Sequence, residues 1–155
     1  MTLVGLISDT HGLLRPEVSD VFGGVSRIVH AGDVGSVDVL QRLAAIAPVD
    51  AVYGNVDDPD DPMLMRERSL TIDGILVHVS HGHELGSPTA DRLFERYVGD
   101  VLVFGHTHQA VVVRRQGRLA VNPGAAGPRR FKLEPSVALL RIGDGRFDVE
   151  LIWLA

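Results

Sequence analysis

The sequence predicts an α/β fold: one domain over residues 1–155, with a sheet that begins parallel and becomes mixed or antiparallel, arranged as two packed sheets. Three observations predict it. The first half alternates short apolar runs with helically spaced ones, an order that implies parallel strands joined by right-handed crossovers. The second half changes to short strands separated by Gly-containing turns, the pattern of antiparallel pairing. A chain of 155 residues that is 45% hydrophobic suits one core, and no repeat or low-complexity linker divides it.

Each element has its own reason. Leu3 to Ile7 is a continuous apolar run, as expected of a strand covered on both faces. Pro16 suits the first turn of a helix reaching Phe22, where Gly23 and Gly24 stop it. Arg27 to Ala31 reads as the second strand. Ser36 is the expected N-cap of a helix from Val37 to Ala45, and Val49 to Tyr53 is the third strand. Asp73-Gly74 between Leu70–Ile72 and Ile75–Val79 predicts a tight hairpin. A helix is predicted from Thr89 to Val98. Strands follow at Val101–Phe104, Ala110–Arg115, Leu119–Asn122, Val137–Ile142 and Phe147–Trp153, with turns at Gln116-Gly117 and Gly143-Asp144-Gly145.

Composition excludes several function classes. With 15 Lys and Arg against 20 Asp and Glu the formal charge is −5, which argues against a duplex nucleic-acid binder. A small anionic substrate is still allowed, because a local cationic site overrides the global sign. The absence of cysteine removes disulfides, zinc ribbons and thiol catalysis, and suits the cytoplasm. No apolar run reaches the roughly 18 residues of a membrane helix, and the N-terminus lacks the basic region of a signal peptide. The chain has no phosphate-loop, zincin or serine-elbow motif.

The informative polar residues stand where predicted strands end. These are Ser8-Asp9-Thr10-His11, His30-Ala31-Gly32-Asp33, Gly54-Asn55-Val56-Asp57, Ser80-His81-Gly82-His83 and Gly105-His106-Thr107-His108. Carboxyl ends of neighbouring strands in an α/β sheet converge on one crevice. Besides His30, which closes its strand, five of the seven histidines lie in these clusters. Imidazole nitrogens with carboxylate and amide oxygens suit Mn, Fe, Ni, Co or Zn. Seven candidate ligands (Asp9, His11, Asp33, Asn55, His81, His106 and His108) exceed the three or four of one catalytic zinc. They suffice for two divalent ions if one carboxylate bridges. Asp33 is the expected bridge, each of its oxygens holding a different ion. Two ions about 3.5–4 Å apart suit hydrolysis by in-line attack of a metal-bridging hydroxide.

In their order along the chain these residues resemble the calcineurin-like metallophosphoesterase superfamily. The compact length, the Ile7-Ser8-Asp9-Thr10-His11 start and the late Asn122-Pro123-Gly124 loop resemble its small YfcE-like phosphodiesterases. The resemblance runs from the first strand to about Arg130. It implies a sandwich of two mixed β-sheets flanked by helices, and a small phosphoester as substrate. It also implies that Asp9, His11, Asp33 and His108 hold one ion and Asp33, Asn55, His81 and His106 the other. Mn²⁺ is the expected activating ion. The same resemblance carries a different reading: a non-catalytic protein-binding scaffold, similar to the retromer scaffold subunit.

One departure bears on the chemistry. Many superfamily phosphatases carry a histidine directly after the Gly-Asn pair, where it can protonate the leaving oxygen. Here that position is Val56. General acid help is worth about 10²–10⁴-fold, so its loss should hurt alkyl monoesters most and activated phosphodiesters least. His83 is the nearest substitute acid; its alternative is a partner that orients His81. Arg130 is a candidate clamp for substrate phosphate, against the alternative of a loop anchor or a solvated pair with Arg129. Asn122-Pro123-Gly124 and Thr10 are expected to support the site. The Asp57, Asp58, Asp60 and Asp61 run is expected to be a solvated loop, with Asp57 bonding nearby backbone. His30 and His78 are expected to be satisfied core histidines. Exposed edge strands of a mixed sheet suit a homodimer.

Overall fold

Ten strands form two five-stranded mixed sheets in the computed structural model, which describes residues 1–130 and 132–154. In the first sheet the order is β10-β9-β1-β2-β3, with β1 Thr2–Ile7, β2 Arg27–His30, β3 Val49–Ala51, β9 Ser136–Gly143 and β10 Arg146–Trp153. β1, β2 and β3 run parallel, and β9 returns antiparallel to β1. The second sheet has the order β4-β5-β6-β8-β7, with β4 Glu67–Ile72, β5 Ile75–Ser80, β6 Val101–Val103, β7 Val111–Arg115 and β8 Arg118–Asn122. Its centre, β5-β6-β8, is again parallel. The sequence predicts hairpins and a mixed or antiparallel sheet here, without the strand order. The β4–β5 and β7–β8 hairpins do form, but β6 inserts between β5 and β8, which local turn signals cannot reveal.

The core lies between the sheets. Val4 and Leu6 of β1 and Val29 of β2 meet Val77 and Val79 of β5, Val101 and Val103 of β6, and Val121 of β8. The outer face of the first sheet is covered by α1 (Glu17–Val21) and α2 (Val37–Ala44) through Val18, Phe22, Val39, Leu40 and Leu43. This double coverage is why β1 is apolar without alternation. Gly5 is needed there, because a Cβ would stand 2.9 Å from the Phe22 ring. α3 (Ala90–Arg96) covers the second sheet through Leu93 and Phe94.

Helix ends differ modestly from expectation. Pro16 and Thr89 lie at N-cap positions, just outside the helices, and the Thr89 hydroxyl accepts from the Arg92 amide at 3.2 Å. Ser36 is the N-cap of α2 but makes no side-chain capping bond. Among the described residues no helix is long and apolar enough to cross a membrane.

Candidate metal centre

The parallel strands of both sheets end on one edge of the sandwich, and their loops are laced together by backbone. The Asp9 amide donates to the Gly32 carbonyl at 2.9 Å, and the His11 amide to the Asp33 carbonyl at 3.0 Å. The Gly105 amide donates to the His81 carbonyl at 2.9 Å, and the Ala126 amide to the Ser8 carbonyl at 2.9 Å. All seven predicted ligands come together there.

Their backbone is unusual. Asp9 (φ +53°), His11 (+47°), Asp33 (+54°), His106 (+74°) and His108 (+62°) adopt left-handed conformations. The three other described non-glycine cases, Asp73, Gln116 and Asp144, all occupy hairpin tips. Such conformations cost about 1–3 kcal/mol each for ordinary residues and persist where the surroundings demand them. Here they turn five side chains from three loops, after β1, β2 and β6, inward onto one volume.

Two triads of ligand atoms result, each within 4.8 Å: Asp9, His11 and His108, and Asp9, Asp33 and His81. Asp9 and His81 are fully buried, and Asp33 and His108 nearly so. The Asp9 Oδ1 atom has no hydrogen-bond partner, while Nε2 of His108, His11 and His81 stand 3.4, 3.8 and 3.9 Å from it. Asp33 Oδ2 lies 3.6 Å from His11 Nε2 and 3.3 Å from His81 Nε2, between the two groups. Its other oxygen, Oδ1, accepts the Val56 amide at 3.1 Å. Oδ2 is thus the Asp33 oxygen that faces both groups. Asn55 Oδ1 joins the second group, 3.1 Å from His81 Nε2 and 3.2 Å from His106 Nδ1.

The donor set fits divalent cations. His81 Nδ1 donates to the Ala31 carbonyl at 2.8 Å, so the neutral ring presents a lone pair at Nε2, as a metal ligand does. That lone pair points at two oxygens, Asp33 Oδ2 and Asn55 Oδ1. His11 and His108 place their Nε2 atoms 3.3 Å apart beside the partnerless Asp9 oxygen. So many acceptors turned on one another require a cation, or a proton standing in for one. The titration directions agree. Burial would raise the Asp9 carboxyl, but the imidazoles of His108 and His11 and the Ser8 hydroxyl hold it well below the usual carboxylate range. Burial likewise opposes the charge on Asp33, and His81 and the Val56 amide outweigh it and lower its pKa. The Asp9 carboxylate raises His11; at His81, burial is overcome by Asp33 and Asp9, and the pKa rises.

The other predicted site residues border this centre. The His83 ring is half-buried, 5.3 Å from the His81 ring and 6.4 Å from that of His106. Burial, then the charge on His81, lowers its pKa. The Ala31 carbonyl, not His83, holds the His81 ring. Arg130 is exposed, and its charge acts on His11. Val56 contributes its amide to Asp33 while its side chain faces outward.

Support comes from residues with weaker sequence signals. Asn122 donates to the Gly105 carbonyl at 3.1 Å and to the Thr107 hydroxyl at 3.0 Å, and accepts the Gly124 amide at 2.9 Å. Thr10 donates to the Val34 carbonyl at 2.8 Å and meets His30 Nε2 at 3.0 Å. The second His30 nitrogen accepts the Gly32 amide at 3.1 Å, so this buried ring is satisfied when neutral. His78 is buried and stacks on Tyr97, but its Nε2 finds no hydrogen-bond partner. Asp57 accepts three amides, from Gly54 at 2.9 Å and from Val34 and Gly35 at 3.0 Å. It thus staples the loop bearing Asp33 to the loop bearing Asn55. Gly54 permits that contact, since a Cβ there would lie 2.0 Å from Asp33 Oδ1.

The chain's similarities agree with this geometry. A probable metallophosphoesterase of Methanothermobacter thermautotrophicus is 39% identical, with 97% of this chain and 91% of the relative aligned. The phosphodiesterase YfcE of Escherichia coli is 30% identical over 76% of each chain. Among solved structures, Vps29 of Chaetomium thermophilum superposes with a TM-score of 0.82 over 98% of this chain and 96% of that one, at 19% identity, and so shares the fold. Residues 2–145 match the calcineurin-like phosphoesterase superfamily domain. With two mixed five-stranded sheets and ligand-bearing loops on one shared edge, this chain belongs to the calcineurin-like phosphoesterase superfamily.

Proposed function

We propose that the chain is a two-metal phosphoesterase that prefers phosphodiesters. The observation that carries this reading is the meeting of seven candidate side chains in two adjoining groups, one about the partnerless Asp9 oxygen and one about Asn55 Oδ1, on a backbone bent left-handed at five of them. Asp9, His11, Asp33 and His108 would hold one ion, and Asp33, Asn55, His81 and His106 the other, with Asp33 Oδ2 shared. Mn²⁺ is the proposed ion, and Fe, Ni, Co and Zn share its taste for these donors. Two such ions supply Lewis-acid charge to a phosphoryl group and an activated water for in-line displacement.

The protein's own part is positioning. Buried Asp9 and Asp33 stay anionic and keep the site charged for cations. The Ala31 carbonyl fixes the His81 tautomer. Arg130, exposed and felt by His11 through its charge, is the side chain we assign to a substrate phosphate oxygen. Val56 cannot pass a proton to the leaving oxygen, and His83, beside His81 and His106, is the side chain we assign to that role. Aryl and otherwise activated diesters, which need little protonation, are the favoured class.

Initial rates on bis-p-nitrophenyl phosphate and p-nitrophenyl phosphate, after Mn²⁺ reconstitution, test this. Turnover should favour the diester, vanish with chelator and vanish in Asp33→Ala. A preference for the monoester would retain the enzyme and refute the substrate argument. The fold shared with Vps29 gives the scaffold reading its basis. It would take over if the folded protein turned over neither ester with any divalent ion; a scaffold, however, has no physical need for all seven ligands.

A further inference from the structure

The two oxygens of Asp9 are treated very differently by their surroundings. Oδ2 accepts the Ser8 hydroxyl at 2.6 Å and the His106 amide at 3.2 Å. Oδ1 accepts nothing and faces the imidazole nitrogens of His108, His11 and His81. Ser8 is fully buried, as is Asp9. A serine hydroxyl has one proton to give, and here it goes to a carboxylate, the stronger class of hydrogen bond. The second donor is available because His106 is in the left-handed region, at φ +74°. Both depend on Gly105, where a Cβ would stand 2.1 Å from Ser8 Oγ and 2.6 Å from Asp9 Oδ2.

We infer that Ser8 is a positioning residue for the metal centre: its hydroxyl, with the His106 amide, occupies Asp9 Oδ2 and so presents Asp9 as a single-oxygen ligand through Oδ1. This rests on the two-metal reading above. Without the lock, the carboxylate turns in its pocket and no longer holds Oδ1 aimed at the His108, His11 and His81 nitrogens, so a cation there would be held less tightly. Neighbours of metal ligands that act in this way typically change metal affinity about 10–100-fold when removed.

The test is Mn²⁺ binding followed by calorimetry, with thermal melting of the metal-free protein measured in parallel. Wild type should take two ions per chain. Ser8→Ala should weaken binding about 10–100-fold while leaving the metal-free melting temperature close to wild type. Gly105→Ala, which pushes the hydroxyl aside from the opposite direction, should weaken it too. In an Asp9→Ala background, where no carboxylate remains to be held, Ser8→Ala should alter the remaining affinity less than twofold. Unchanged binding in Ser8→Ala overturns the inference and leaves the two-metal reading standing. An equal loss in the Asp9→Ala background also overturns it, since Ser8 would then act through packing. A wild type that binds neither Mn²⁺ nor Zn²⁺ refutes the two-metal reading itself, and this inference with it.

Discussion

Asp57 and Asp58 are adjacent in one acidic run, yet truncation should cost much at the first and little at the second. Asp57 accepts the Val34, Gly35 and Gly54 amides, whereas Asp58 accepts only the Asp60 amide within its own exposed turn. In Asp57→Ala the part-buried Val34 and Gly54 amides lose a charged acceptor, at about 1–1.5 kcal/mol each. The Gly35 amide is exposed, so water replaces that bond at little cost. The expected loss is about 2–3 kcal/mol, which for a domain of this length lowers the melting temperature by roughly 5–10 °C. Asp58→Ala should stay within about 0.5 kcal/mol. Urea denaturation of the metal-free proteins, with m-values checked for equality, measures both. Because the staple holds the Asp33 loop against the Asn55 loop, Asp57→Ala should also weaken Mn²⁺ binding. An Asp57→Ala protein as stable as Asp58→Ala would refute the staple.

Three further outcomes are expected. Burial pulls the pKa of His30 down to about 4, against 6.5 for the free ring. The unfolded chain therefore binds the extra proton first, and stability should fall as pH drops from about 6.5 toward 4. Metal-free wild type should lose about 1 kcal/mol more than His30→Asn between pH 7.5 and 5.5; equal losses would contradict the assignment. Gly54→Ala drives a Cβ to 2.0 Å from Asp33 Oδ1 and 2.4 Å from its amide nitrogen. It should cost about 1–3 kcal/mol by overpacking and abolish tight metal binding, as calorimetry would show. Val56→His, at a half-exposed position beside Asn55, should raise turnover of alkyl phosphomonoesters by about tenfold or more, with a smaller change for bis-p-nitrophenyl phosphate. An unchanged ratio of the two rates would show that leaving-group protonation is not what limits the enzyme.

Much of this protein is determined by sequence alone, because its signals are local. The unbroken apolar run of β1, the Asp73-Gly74 and Gln116-Gly117 turns and the helical spacing of α2 identify their elements without reference to anything distant. The candidate cluster was legible for the same reason: each of its members follows a strand within a few residues, and in a parallel sheet strand ends share an edge. What tertiary structure decided is pairing and direction. That β6 lies between β5 and β8, that Asp33 turns one oxygen to both ligand groups, and that Ala31 supplies the partner of His81 all depend on segments tens of residues apart. Asp57 shows the contrast most plainly, for the sequence predicts that it bonds nearby backbone but not that it joins two separate loops. A carboxylate becomes a staple only where three amides converge on it. The convergence arises from folding two loops together, and no single stretch of sequence contains it.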